Sequence, residues 1–393
     1  MPTTTYSHFI QFVRKTFDTA EDFIPLHEPR FNGNEKTYLM ECIDSTFVSS
    51  VGKFVDRFET MVSDYTQSPK AVVCVNGTNA LHLALILSGV AVNTEVLTQP
   101  LTFIATANAI SYCNAHPVFI DVDKDTLGLS PTKLEDWLRT NTQIQEIDGQ
   151  TCSTNKSSGR RLSACVPMHT FGHPCRIDEI VEICQRYHIP VVEDAAESLG
   201  SYYKGKHTGT FANIGVLSFN GNKTITTGGG GMLLFNDKNL GEHAKHLSTQ
   251  AKLPHKWEFR HDHIGYNYRM PNINAALGCA QMEQLPHFIQ AKRSLAQRYA
   301  TYFAQDNRPG TFVPEPPNAQ SNYWLNALLL PSLEQRNHFL EQTNNAGIMT
   351  RPVWELMNTL PMFQQAQCGD LSNAQWLADR LVNIPSSVLI KNQ

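Results

Sequence analysis

The chain has 393 residues, 41% hydrophobic and 17% charged, with a formal net charge of −4. That length supports a full core in two domains. The near-neutral charge excludes a basic surface for nucleic acid, and the lack of an apolar run of spanning length excludes a helical membrane anchor.

The stretch 1–17 lacks the apolar centre of a signal peptide. The nine cysteines lie mostly in apolar segments such as Val72-Val73-Cys74-Val75 and read as reduced thiols of a cytoplasmic protein. Residues 72–75 read as a short buried strand and 78–87 as the helix after it. Between them, Asn76-Gly77-Thr78-Asn79-Ala80-Leu81 makes a strand-to-helix turn. Gly77 permits a tight turn, the new helix offers free N–H groups, and Thr78 adds a hydroxyl, all suited to a phosphate. The turn lacks the Gly-x-Gly-x-x-Gly pattern, which argues against a dinucleotide-binding oxidoreductase. Residues 95–97 suggest another strand, 104–111 a helix and 117–122 a β segment. Ser130-Pro131 opens a helix to 138. The polar, Ser/Thr/Gly-rich stretch 141–161 reads as an exposed insertion.

A strand over 165–169 then turns through Gly172 and Pro174 into a helix over 177–187, with further strands near Val191 and Val216. His169, His173, Cys175 and Cys184 fall close together here. No fourth ligand stands at a structural-zinc spacing, so no metal is expected. The alternation predicts an α/β fold, a largely parallel sheet with helices on both faces, and a site at the carboxyl ends of its strands. Gly77 and Asp194 both sit at such ends. Residues 1–250 are assigned to this large domain. Residues 251–393 form a smaller C-terminal α/β domain, with a long helix over 272–303, a strand over 326–330 and a helix over 333–343.

The chemistry concentrates around Lys223. The strand at Val191-Val192 ends in Glu193-Asp194-Ala195-Ala196-Glu197, and Lys223 follows in Ser218-Phe219-Asn220-Gly221-Asn222-Lys223-Thr224. Pyridoxal phosphate (PLP) needs an amine for a Schiff base and a carboxylate beside its pyridine nitrogen. Lys223 and Asp194 supply both. Asn222-Lys223-Thr224 lacks the preceding glycines of a P-loop, so a nucleotide triphosphate site is rejected. The run from Gly228 to Gly231 suits close backbone approach or a tight turn.

These segments, together with Thr102-Phe103 and Gly265-Tyr266-Asn267-Tyr268-Arg269, resemble the DegT/DnrJ/EryC1/StrS family of PLP-dependent sugar aminotransferases. The likeness runs from Ile24-Pro25-Leu26 to Ile384-Pro385, with five motifs in family order. It implies the type I, aspartate aminotransferase-like fold of PLP-dependent transferases. It implies Lys223 as the Schiff-base lysine, Asp194 as partner of the pyridinium nitrogen and Phe103 stacked on the ring. Gly77, Thr78, Asn79 and Ser218 would hold the phosphate, and Asn267 would reach the phosphate of a partner subunit in a homodimer. Arg351, in Arg351-Pro352-Val353-Trp354, resembles a substrate-contacting segment.

Two positions depart from the family's usual pattern. Glu197 stands near the cofactor's phenolic oxygen where relatives often have His or Gln, and Gly229 stands where they often have Glu. The retained Lys223 argues against the dehydratase relatives that carry His there. The resemblance further implies glutamate as amino donor and a nucleotide-linked 4-keto-6-deoxy sugar as acceptor. Pro29-Arg30-Phe31-Asn32-Gly33-Asn34-Glu35 and the insertion look most like the legionaminic-acid-type branch, with a UDP-linked 2-acetamido-4-keto sugar. The alternatives are a GDP-linked, perosamine-type acceptor and a PLP-binding regulatory relative that does not catalyse.

Overall fold

The computed structural model describes residues 6–306 and 308–389, so residues 1–5 of the N-terminal stretch discussed above lie outside it. Two four-stranded sheets form the centre. One orders the strands Gln367–Cys368, His116–Phe119, Glu95–Thr98 and Leu162–Val166, all parallel. The other orders Val192–Asp194, Ile214–Ser218, Gly231–Phe235 and Lys70–Cys74. Parallel bridges from Cys165 to Val191 and from Met168 to Asp194 join the two into one continuous sheet. The expected parallel arrangement holds except at Gly231–Phe235, which runs antiparallel to both neighbours.

The strands are short apolar runs because both faces are covered. Along Lys70–Cys74 successive side chains point to opposite faces. Val72 and Cys74 join a core built on helix Gly77–Leu87, with Leu81, Leu85 and Ile110. Ala71 and Val73 join the opposite core, with Phe54, Phe58 and Leu285. Two helix starts are capped by side chains: Asn76 accepts from the Asn79 N–H, and Ser130 from that of Lys133.

The stretch 141–161 is not a plain insertion. Thr142–Ile147 and Gln150–Asn155 pair as an antiparallel hairpin. Its turn residues Asp148 and Gly149 have φ of 51° and 73°. That geometry belongs to a two-residue turn, for which Asp-Gly is a favoured pair. Cys152 to Asn155 are buried, and Asn155 Nδ2 donates to Glu95 Oε2 at 2.7 Å, tying the hairpin to the sheet.

A second antiparallel sheet lies toward the C-terminus, from Thr311–Phe312, Asn326–Leu329, Leu381–Ile384 and Arg351–Pro352. Its core includes Phe339 and Val382, and also Phe9 and Val13 from the N-terminal helix Ser7–Thr16. Helix Asn272–Phe303 connects the two bodies. Ala275, Cys279 and Phe288 pack in the large core, and Leu295, Tyr299 and Phe303 in the small one. Strand Gln367–Cys368 then returns to the outer edge of the large sheet. Among the described residues no helix is long and apolar enough to cross a membrane. Eight of the nine thiols are buried, and Cys368 is exposed.

Candidate active site

A cavity of about 290 Å³ opens at the carboxyl ends of the central strands. Three chain segments meet at one end of it. Asn76 Oδ1 accepts from the Asn79 N–H at 2.8 Å, and the Asn76 carbonyl accepts from the Ala80 N–H at 3.1 Å. The Gly77 and Thr78 N–H groups, first in their helix, have no helical acceptor. A Cβ on Gly77 would stand 3.0 Å from Ser218 Cβ and 3.1 Å from its Oγ. One on Gly231 would stand 2.5 Å from the Asn76 carbonyl carbon. Glycine at both positions therefore lets two strand ends close on the helix start. Free N–H groups, a helix dipole and the Thr78 and Ser218 hydroxyls make a cradle for an anion.

Asp194 ends the strand Val192–Asp194 and is buried. Its Oδ2 accepts from Thr106 Oγ1 at 2.6 Å and its Oδ1 from the Ala196 N–H at 3.2 Å. Burial pushes its carboxyl up, while the Thr106 and Ala196 bonds and the Lys223 charge oppose that shift.

Lys223 lies on the turn after strand Ile214–Ser218, its N–H bonded to the Asn220 carbonyl at 3.0 Å. Its Nζ is 3.1 Å from Glu197 Oε1 and 3.9 Å from the centre of the Trp324 ring. The Trp324 indole N–H donates to the Asn222 carbonyl at 2.6 Å, fixing the ring against the lysine's own turn. Glu197 is held from behind, where Oε2 accepts from the Phe171 N–H at 2.9 Å. Phe171 is at φ 57°, a left-handed conformation uncommon for a bulky residue. Burial pushes the Glu197 carboxyl up to about 7. The ammonium is thus held by one carboxylate and one aromatic face, inside a cavity whose other wall carries a buried acid.

Of the residues singled out from sequence, Gly77, Thr78, Phe103, Asp194, Glu197, Ser218 and Lys223 line this cavity. Phe103 is 49% exposed at its mouth, edge-on to Trp354. Asn79 is one residue deeper in the helix, its N–H taken by Asn76. Asn267 and Arg351 are not among the lining residues. Asn267 is exposed, and its Oδ1 accepts from Arg269 Nε at 3.1 Å. Arg351 is exposed on its strand, paired with Asn383. A Cβ on Gly229 would meet nothing within 4 Å, so the packing within this chain does not demand glycine there. His169 spends its ring nitrogens on Glu193 and on the Cys175 N–H, and His173 packs edge-on to Tyr323.

Sequence reading missed Thr106 and Trp324, and it named Trp354 only as part of the segment after Arg351. Thr106 lies one helical turn beyond Phe103, within reach of the Asp194 strand end. The tryptophans come from the C-terminal body, and no spacing relates them to Lys223.

A model of the DegT/DnrJ/EryC1/StrS aminotransferase family matches residues 29–393. A GDP-perosamine synthase of Escherichia coli O157:H7 is 38% identical over 371 residues, 94% of this chain and 95% of the relative. The GDP-perosamine synthase of Caulobacter vibrioides is 34% identical, over 92% of this chain and 93% of its own. These relatives replace the legionaminic-acid-type branch as the nearer match. In solved structures, an aminotransferase, TlmJ, from Streptoalloteichus hindustanus superposes with a TM-score of 0.84 at 25% identity, over 94% of this chain and 95% of its own. The anion cradle, the buried Asp194 carboxyl and the enclosed Lys223 amine are the groups that PLP requires, gathered in one cavity. The chain belongs to the DegT/DnrJ/EryC1/StrS aminotransferase family and is a PLP-dependent transaminase.

Proposed function

We propose that this enzyme moves an amino group from glutamate to the C4 keto group of a GDP-linked 4-keto-6-deoxy sugar, in the cytoplasm, for a surface polysaccharide. The observation that carries the chemistry is the pairing, in one cavity, of an enclosed Lys223 with a buried Asp194. Support for the acceptor is the near full-length similarity to GDP-perosamine synthases, which favours this reading over the UDP-linked 2-acetamido sugar.

PLP, when bound, supplies an electron sink for a carbanion next to its imine carbon. Lys223 would hold it through the ε-amine, and the same amine, when free, would carry a proton at the donor's α-carbon. Asp194 keeps the ring nitrogen protonated, and Thr106 and the Ala196 N–H hold its carboxylate in place. The Gly77–Thr78 turn and Ser218 anchor the phosphate. Phe103 covers the ring, and with Trp354 it narrows the mouth against water. Glu197 holds the Lys223 amine and would neighbour the cofactor's phenolic oxygen. Asn267, outside the cavity of a single chain, acts in a homodimer. Asn267 completes the partner's phosphate site, and Arg351 contacts the acceptor.

The test is amino transfer from glutamate to a panel of GDP- and UDP-linked 4-keto sugars. Turnover confined to the UDP-linked 2-acetamido sugar would overturn the acceptor assignment. No turnover with any of them, despite a bound cofactor that reacts with glutamate, would overturn the substrate class.

A further inference from the structure

His243 and His246 stand one turn apart on helix Lys238–Ser248, and neither lines the cavity. The chain then runs out and returns, Lys252 pairing with His261, to bring Asp262 and His263 against that helix. Asp262 Oδ1 lies 2.7 Å from His246 Nε2 and 3.0 Å from His263 Nδ1. The His263 ring stands edge-on to both His243, at 5.9 Å, and His246, at 6.1 Å. Among the described residues, His246, Asp262 and His263 are the one group of His, Cys, Asp or Glu side chains whose three donor atoms all lie within 4.8 Å of one another.

A hydrogen-bonded surface cluster is the plain alternative, and the convergence here goes beyond it. Two imidazole nitrogens stand against the same carboxylate oxygen, so three potential ligand atoms of the right kinds lie within 4.8 Å of one another. A zinc ion bound at about 2.0–2.2 Å to nitrogen and oxygen sets its ligands roughly 3.3–3.5 Å apart in a tetrahedron. Reaching that spacing takes about 0.6–0.8 Å of opening at the His246 pair and about 0.3–0.5 Å at the His263 pair. His263, with a side chain 57% exposed, is free to give it.

We propose that His246, Asp262 and His263 bind a divalent transition-metal ion of the zinc class. Water, or His243, completes the shell. Two imidazoles and one carboxylate favour zinc, cobalt(II), nickel or copper over magnesium and calcium, which take oxygen ligands. The site is structural. The segment just beyond it is already stitched to the same helix, with the Tyr266 N–H on the Leu247 carbonyl at 2.7 Å and the Tyr268 N–H on the Ser248 carbonyl at 3.1 Å. A metal at Asp262 would fix the loop leading into Asn267. The proposal is independent of the aminotransferase reading.

The test uses tag-free, chelator-washed holoenzyme carrying Cys368→Ser, which removes the exposed thiol as a competing ligand. Zinc is titrated by calorimetry and cobalt(II) by its visible spectrum. The expected result is one equivalent bound per chain, with a tetrahedral cobalt spectrum free of thiolate charge-transfer bands. Loss of an outer-sphere partner alone costs about 10- to 100-fold in metal affinity, so His263→Ala and Asp262→Asn should each weaken binding by at least about tenfold. His263→Ala alters an exposed loop side chain and leaves the fold intact, so it serves even where His246→Ala does not fold. No saturable binding, or binding unchanged in His263→Ala, overturns the site.

Discussion

Replacing Asp194 by Asn isolates a charge from a shape. The amide can keep its oxygen toward the Ala196 N–H, now 3.2 Å from Oδ1. Its NH2 then lies where Oδ2 accepts from Thr106 at 2.6 Å. Thr106 Oγ1 is also 3.1 Å from Thr102 Oγ1, so the Thr106 hydroxyl can turn to donate there and accept from the amide. No buried group is orphaned, so the fold and PLP binding should survive. What disappears is the negative charge that keeps the pyridine nitrogen protonated. A charge-assisted bond contributes about 1.5–3 kcal/mol net, equivalent to roughly tenfold to a hundredfold in rate. The loss should fall on proton transfer, read as the single-turnover bleaching of the cofactor's visible absorbance by glutamate, and much less on glutamate affinity. An Asp194→Asn protein that bleaches at the wild-type rate would refute the role given to this carboxylate.

Borohydride reduction of the holoenzyme should fix a pyridoxyl group on the peptide containing Lys223, and a label on any other lysine removes Lys223 from the chemistry. Mixing inactive Lys223→Ala with inactive Asn267→Ala should restore activity in hybrid dimers, one site of which holds both wild-type residues. Continued inactivity after proven subunit exchange would place Asn267 outside the partner's site. Glu197 gives a pH signature. Burial raises its carboxyl from 4.5 to about 7, so the folded state holds the proton longer than the unfolded one. The penalty for burying the anion is absent below pH 4.5 and grows as the pH rises to 7, reaching about 3 kcal/mol at about 1.4 kcal/mol per pH unit. Glu197→Gln should therefore gain melting temperature relative to wild type across that window, and a relative loss there would contradict the sign.

The sequence made the reactive pair legible because its chemistry dictates residue type. An imine needs an amine, a pyridinium needs a carboxylate, and a phosphate needs a glycine turn at a helix start. Lys223, Asp194 and Gly77 follow from those demands, and they meet in one cavity. Trp324 was invisible for the opposite reason. Any large flat side chain could cover the lysine, and the one that does arrives from the far body of the chain. The antiparallel strand Gly231–Phe235 reads as apolar whichever way it runs, so direction had to come from pairing. The hairpin over 142–155 was hidden by polar composition, although Asp148-Gly149 carried the signal of its turn. Phe103, expected from the resemblance to stack on the cofactor ring, lines the cavity mouth, and its half-exposed ring would fit a surface position equally well by composition.

Strand Gln367–Cys368 is only two residues long, but it occupies the outermost position of the central sheet, alongside Val118 and Phe119. A sheet edge without a neighbour offers a row of free N–H and C=O groups to any other chain, which is the usual starting point of edge-to-edge aggregation. Here the guard on that edge comes from the C-terminal body, and Gln367 also receives the Asn155 amide of the hairpin at 2.5 Å. A shortened protein ending before Gln367 would keep Lys223, Asp194 and the phosphate turn. It would also expose His116–Phe119 as an adhesive border and lose Leu381–Ile384, the strand between Asn326–Leu329 and Arg351–Pro352, so its solubility and its C-terminal sheet would fail together.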